Sequence, residues 1–244
     1  MSTPPVFLVE ALPTGAAAEL GGAEGHHAAT VRRLRPGETV WLSDGRGGIA
    51  ECTVTAADPR GLLLDVRRTR RMEPPRPRFV LAQALAKGDR GELAVELATE
   101  LGVDEIVPWA AARSVTRWSG PRGDRALQRW RSTAREAAKQ SRRPWVPLVA
   151  DPVGGRELAA RVAGAAAAYV LHEAAADPLT AAALPAEGDV LLVVGPEGGI
   201  EDAELAALAA AGARQVRLGA PVLRTSTAGA AALAVLSARA GRWD

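Results

Sequence analysis

Five apolar runs, most of them separated from the next by a stretch of helical pattern, constrain this fold more than any other feature of the chain. FVLAQAL (79–85), EIVPW (105–109), AYVLHE (168–173), DVLLVVG (189–195) and QVRLG (215–219) read as strands that are apolar on both faces. Such strands must be covered from both sides, the condition met by a mainly parallel sheet lying between helices. The intervening patterns predict helices at 89–101, 122–142, 201–211 and 226–240. In the first of these, Leu93, Leu97 and Leu101 recur every fourth residue, Asp89 and Glu92 resemble a capping pair, and Gly102 is a stop.

The first third is built differently. VFLV (6–9), TVWLSD (39–44), IAECTVTA (49–56) and GLLLDVR (61–67) are short strands broken by turn residues, and Asp44 to Gly48 reads as a hairpin-type turn. A short helix is expected over 24–34, and a small β-barrel is the natural closure for so few strands. RRTRRMEPPRPR (67–78) has three prolines and six arginines against one glutamate, and reads as a solvated linker. The expected division is a small N-terminal domain, 1–73, and an α/β domain, 74–244.

Composition narrows the function classes. No apolar run is long enough for a transmembrane helix, and the N-terminus lacks the pattern of a secretory signal. Cys52 is the only cysteine, so neither an internal disulfide nor a CxxC site is available. The histidines are the adjacent His26 and His27 and the distant His172, which is poor material for a metal centre. A cytoplasmic protein without metal or membrane attachment is expected. The net charge is only +2, yet residues 113–143 hold ten Arg or Lys against two acids. That block reads as a local polyanion site or, alternatively, as a solvated helix face. On the 122–142 helix, Arg131, Arg135, Lys139 and Arg142 fall on one side. Trp130 and Trp145 are expected in packing rather than base stacking.

Two segments carry chemistry. Gly195-Pro196-Glu197-Gly198-Gly199-Ile200 follows an apolar strand and precedes a helix opening with Glu201 and Asp202. Ligands of open α/β sheets bind at strand carboxyl ends, where glycine lets the backbone approach closely. The loop is neither GxGxxG nor a P-loop, and acids at the following helix start disfavour a phosphate, so a nucleoside-type ligand is the better expectation. Taken alone, it also reads as a tight turn. The second segment, Leu218 to Gly229, contains Leu223-Arg224-Thr225-Ser226-Thr227, whose hydroxyls are placed to cap the last helix. It also reads as a plain capped connection, with Arg224 a surface charge.

GPEGGI followed by RLGAPVLRTSTA resembles the paired C-terminal motifs of the bacterial 16S ribosomal RNA uridine-N3 methyltransferases, a family of the SPOUT class with a trefoil knot. Lys87-Gly88-Asp89, Glu100-Leu101-Gly102-Val103, Pro108, Arg113-Ser114, the Glu136 to Arg143 stretch, and His26-His27 with Val31 to Arg35 extend the resemblance, in order, over nearly the whole chain. The resemblance implies a PUA-like β-barrel, a SPOUT-like knotted α/β domain, a homodimer, a small-subunit ribosomal RNA substrate, and S-adenosylmethionine (SAM) as cofactor. Carried over by motif, the SAM pocket comprises Leu171, His172, Gly195, Glu197, Gly198, Gly199, Leu218, Leu223, Arg224, Thr225, Ser226 and Thr227. RNA contacts fall to Arg32, Arg33, Arg35, Arg113, Arg131, Arg135, Lys139 and Arg142. Arg224 and Arg142 are candidates to stabilise charge on a uracil, and Glu197 is a candidate base or a clamp for backbone amides.

The chain departs from the family pattern at Ser226, where Glu is usual, and at Thr3-Pro4-Pro5, where an early arginine is usual. Two other functions fit the same features: a SPOUT methyltransferase acting on transfer RNA, and a non-catalytic RNA-binding ribosome assembly factor. A nicotinamide dehydrogenase lacks its glycine pattern. The last helix, 226–240, is apolar all round, which calls for cover on every side and favours a partner subunit.

Overall fold

A computed structural model describes residues 4–243 of the chain, and Thr3 lies outside the described residues. Two compact units are present, one of residues up to Pro74 with Ala138–Val146, the other of Pro75–Ala137 and Pro147 onward.

The first unit is a five-stranded sheet of β1 (Val6–Leu8), β2 (Ala17–Leu20), β3 (Thr39–Ser43), β4 (Gly48–Asp58) and β5 (Gly61–Arg71), in the order β1-β3-β4-β5-β2. β1 runs parallel to β3 and the remaining pairs are antiparallel, with β1 and β2 as the edges. Alternation selects the core: Ala50, Cys52 and Val54 of β4 face inward onto Phe7, Val40, Leu42, Leu62 and Leu64. The Cys52 thiol is pushed up to about 11 by burial and by the charges of Asp65 and Glu51, so it holds no thiolate at neutral pH. The expected 24–34 helix is instead α1 (Gly22–His26) followed by a π-helical turn, His27–Val31. The supposed linker also begins later than expected. β5 continues to Arg71, pairing with Gly48–Glu51, because ladder hydrogen bonds are indifferent to side chains that stay in water.

The second unit comprises β6 (Arg78–Ala84), α2 (Arg90–Glu100), β7 (Glu105–Trp109), the part of α3 (Gly120–Gln140) up to Ala137, β8 (Leu148–Val149), α4 (Gly155–Gly164), β9 (Ala167–Leu171), β10 (Asp189–Val194), α5 (Asp202–Ala210), β11 (Arg214–Val216) and α6 (Thr225–Arg239). Its sheet is parallel throughout, in the order β11-β9-β10-β6-β7-β8. Alternate strand residues enter two separate cores. Phe79, Leu81, Ile106, Val190 and Leu192 meet Val95, Trp130 and Leu233 on one face, while Val80, Ala82, Val107, Leu191 and Val193 meet Leu158, Val162 and Leu208 on the other. β8 and α4 were not expected from the sequence.

Three local expectations are corrected. The Leu93–Leu97–Leu101 stripe is not the buried face of α2; Leu93 is exposed, and Gly91, Ala94, Val95 and Ala98 face inward. Small residues win because the helix approaches closely: a Cβ on Gly91 would stand 2.8 Å from the Trp130 ring. Asp89 gives α2 no side-chain cap, and Glu92 pairs instead with Arg129 at 2.8 Å. The hydroxyls at 225–227 do not cap α6, since Thr225 donates to the Gly195 carbonyl and Thr227 to that of Arg224. α6 is covered within its own chain over most of its surface, with Ala232, Leu233 and Leu236 fully buried. Thr227, Ala231, Ala234 and Val235 remain partly open along one stripe.

Asp44 organises the β3–β4 turn. Its carboxylate accepts from the amides of Arg46 (2.8 Å) and Gly48 (2.9 Å) and pairs with Arg71 (2.9 Å). Burial pushes this carboxyl up, but those hydrogen bonds and the Arg71 charge together outweigh it and hold the group below the ordinary aspartate range. A depressed folded value means the stabilisation is complete above the unfolded value of about 3.9 and is lost as pH falls through the folded one. Asp44→Asn is therefore expected to cost about 1–2 kcal/mol at neutral pH. In urea titrations, the gap between variant and parent should close as the pH is lowered below 4 or so.

Candidate functional site

The register of the parallel sheet brings Gln83, Leu171 and Val194 side by side at the carboxyl ends of β6, β9 and β10. Loops leaving β9 and β10, with the segment before α6, enclose a cavity of about 640 Å³ there. This is the size range of sites for nucleoside-sized ligands. Of the expected pocket residues, Leu171, His172, Gly195, Glu197, Gly198, Gly199, Leu223, Arg224 and Thr225 line it. Leu218 lines a smaller adjoining recess with His172 and Leu223. Ser226 is buried, and neither it nor Thr227 is among the walls of either space.

The glycine loop has the shape its composition demands. Gly199 sits at φ +75°, a conformation that costs any residue with a Cβ, and a Cβ on Gly195 would lie 2.6 Å from Ile200. Glu197 is anchored rather than free, accepting from the Lys87 amide (3.3 Å) and pairing with Arg90 (3.2 Å). Arg113 reaches the Gly198 carbonyl at 3.5 Å and Glu201 at 3.8 Å. The start of α5 is occupied by its own acids: Glu204 accepts from the amides of Glu201 (3.2 Å) and Ala112 (2.9 Å). That disfavours a phosphate at the start of α5. Arg224, at the α6 N-cap, is exposed and has no carboxylate partner among the described residues.

Arg90 was not singled out from the sequence; its signal was adjacency to the Lys87-Gly88-Asp89 stretch. The wall residue Ala228 was also missed as a site residue. His172 accepts from the Ala174 amide at 3.2 Å and lines the cavity.

The expected RNA-facing residues are dispersed. Arg131 pairs with Asp151 at 2.9 Å in the second unit, and Lys139 pairs with Glu24 at 2.8 Å in the first. Arg135 and Arg142 are exposed without an ion-pair partner among the described residues, and Arg142 adopts φ +56°. Arg32, Arg33 and Arg35 are exposed in the first unit. His26 contacts the Pro59 carbonyl at 3.0 Å, and His27 lies edge-on to Phe7. Among the described residues no cluster of three or more His, Cys, Asp or Glu could hold a metal, and no helix is long and apolar enough to cross a membrane.

A family model described as an RNA methyltransferase domain matches residues 73–237, and one described as an RNA methyltransferase PUA domain matches residues 20–67. These define the class: an α/β RNA methyltransferase domain preceded by a PUA unit. The ribosomal RNA small subunit methyltransferase E of Mycobacterium bovis is 49% identical over 244 residues, covering 98% of this chain and 93% of its own length. The crystal structure of the Neisseria gonorrhoeae enzyme of the same name, bound to SAM, superposes with TM-score 0.85 at 27% identity, covering 97% of this chain and 98% of its own. A SAM-bound putative methyltransferase from Legionella pneumophila superposes with TM-score 0.86 at 26% identity, covering 98% of each chain. The chain belongs to the ribosomal RNA small subunit methyltransferase E family.

The loop geometry is testable through stability. Gly199→Ala adds a methyl group at positive φ and should cost about 1–2 kcal/mol in urea unfolding. Gly155→Ala, whose Cβ meets nothing within 4 Å, should be neutral or slightly stabilising in the same titration.

Proposed function

We propose that this protein methylates N3 of a uridine in the 16S RNA of the small ribosomal subunit, with SAM as the methyl donor. The observation that carries this reading is the cavity of about 640 Å³ at the carboxyl ends of β9 and β10, walled by the glycine loop, in a chain of this family. A Cβ at Gly195 would collide with Ile200, so glycine here lets the loop turn back on itself where it leaves β10. Leu171, Leu223 and Val222 supply apolar contact, and Gly198, Gly199 and Thr225 the polar loop edges. Bound in this cavity, SAM would supply an electrophilic methyl carbon, to which the acceptor nitrogen would bond in line as the carbon–sulfur bond breaks and the neutral thioether S-adenosylhomocysteine leaves.

The protein's own share is alignment and electrostatics. Holding donor and acceptor in line lowers the barrier by removing the entropy of encounter. As N3 gives up its proton to solvent water, negative charge spreads to the ring oxygens, and an unpaired guanidinium beside them stabilises it. Arg224 is the first candidate for that role because it lines the cavity without a carboxylate to neutralise it; Arg142, in the first unit, is the second. Glu197 is read as the clamp on Lys87 and Arg90 rather than as the base. Arg135, Arg142, Arg32, Arg33 and Arg35 are read as phosphate contacts, their exposure and lack of partners supporting this, with Arg113, Arg131 and Lys139 reaching RNA by exchanging present partners.

The reading also includes a trefoil knot in the second domain, 74–244, an RNA-binding first domain, 1–73, a cytoplasmic location and a homodimer. The half-open stripe of Thr227, Ala231, Ala234 and Val235 supports the dimer, as small residues allow close helix approach.

Incubation of the protein with SAM and small subunits lacking the modification should yield 3-methyluridine by mass spectrometry of digested 16S RNA. Arg224→Ala should reduce kcat by about two orders of magnitude, the scale of losing one donor to developing charge. Methylation of transfer RNA instead would assign the substrate to the other class, and RNA binding without SAM binding would make the protein an assembly factor. Light scattering at micromolar concentration should give a dimer; a fully active 25.3 kDa species would refute that part.

A further inference from the structure

Gln83 lies one layer behind the cavity wall, on the last turn of the sheet before the strand ends. It is fully buried at the end of β6, next to Val194 in register, and is not itself a lining residue. Its Nε2 donates to Thr225 Oγ1 at 3.0 Å, and Thr225 Oγ1 donates to the Gly195 carbonyl at 2.8 Å. Thr225 is the first residue of α6 and directly follows Arg224. The two bonds thus tie a central strand, the first residue of the glycine loop and the start of the arginine-bearing segment.

The direction of this relay is fixed by chemistry. An amide nitrogen can only donate, so the hydroxyl of Thr225 must accept from it and spend its single proton on Gly195. The other end of the amide is instructive: Gln83 Oε1 is buried with no hydrogen-bond partner among the described residues. An orphaned buried acceptor is a cost, and an apolar side chain of the same length would fill the space without it. What glutamine offers against that cost is its donor end, which bonds Thr225 at 3.0 Å and the Ala84 carbonyl at 3.4 Å.

We propose that Gln83 is a positioning residue for the cofactor: through Thr225 it sets the spacing between the glycine loop and Arg224, and so the affinity of the cavity for SAM. This rests on the reading of the cavity as the SAM site. Its action is through Thr225 and Gly195, without contact to the ligand.

The test uses Gln83→Met, Thr225→Val and the double variant of the full-length protein, with SAM binding by calorimetry, thermal unfolding, and KM and kcat. Gln83→Met should unfold no earlier than the parent yet bind SAM about tenfold more weakly, with KM for SAM rising in step and kcat changing less. Thr225→Val should show a similar loss, Thr225→Ser should recover most of it, and the double variant should be no worse than about the larger single loss, because both cut one chain. SAM affinity of Gln83→Met within about twofold of the parent would overturn the proposal, as would losses that multiply in the double variant or that merely follow a drop in stability. Gly198→Val, whose added Cβ would press on Arg113 at 3.2 Å and displace the glycine loop that lines the cavity, separates the two levels. Parental SAM affinity in Gly198→Val refutes the site itself, whereas loss there with parental affinity in Gln83→Met refutes the relay alone.

Discussion

Each central strand of the six-stranded sheet sends alternate side chains into two apolar layers, and the rest of the second unit follows from having to cover both. Helices α2, α3 and α6 close one face, α4 and α5 the other. With both faces sealed, main-chain groups remain free for a ligand only where strands end and loops begin. Gln83, Leu171 and Val194 stand in register at that edge, where the cavity lies. The position of the site is thus a consequence of how the core is packed.

Charge then divides the cavity's arginines by role. Arg90 is held by Glu197 and Arg113 faces Glu201, so each spends much of its field on a partner within the protein. These pairs are half-exposed, and pairs of that kind contribute little to stability. Their effect is to hold the glycine loop from both sides: Glu197 is fixed by Arg90 and the Lys87 amide, while Gly198 lies under Arg113. A loop held in this way needs no reorganisation when a ligand arrives, which is the condition for fixed dipoles to act on developing charge.

What the sequence revealed depended on whether the signal was local. The apolar runs located every long strand of the second unit, because a strand buried on both faces has no polar alternative. Gly195 and Gly199 announced the loop, because only glycine tolerates the close approach at one and the positive φ at the other. The inward face of α2 was misread for the opposite reason. Its contact surface is set by Trp130 and by α6, distant in sequence, so the leucine spacing alone does not identify the inward face, where Ala94 and Ala98 lie. The arginines of β5 were mistaken for linker because pairing with β4 is a property of the partner strand. Arg131 and Lys139 gave a basic stripe by spacing, while the acids that engage them, Asp151 and Glu24, lie far away in sequence.

Ser226 connects the departure from the family pattern to the electrostatics of the cavity. It sits in the first turn of α6, buried, directly after Thr225. A carboxylate at this position would be favoured by the helix dipole but would bring a negative charge beside Arg224. Serine leaves the helix end neutral, so the field of Arg224 is not spent on its own segment. Arg113 and Arg90 already face acids, and Arg224 alone of the cavity's arginines has none among the described residues. The same substitution that removes an expected acid therefore concentrates the positive potential of the site at one guanidinium, two residues upstream of it in the chain.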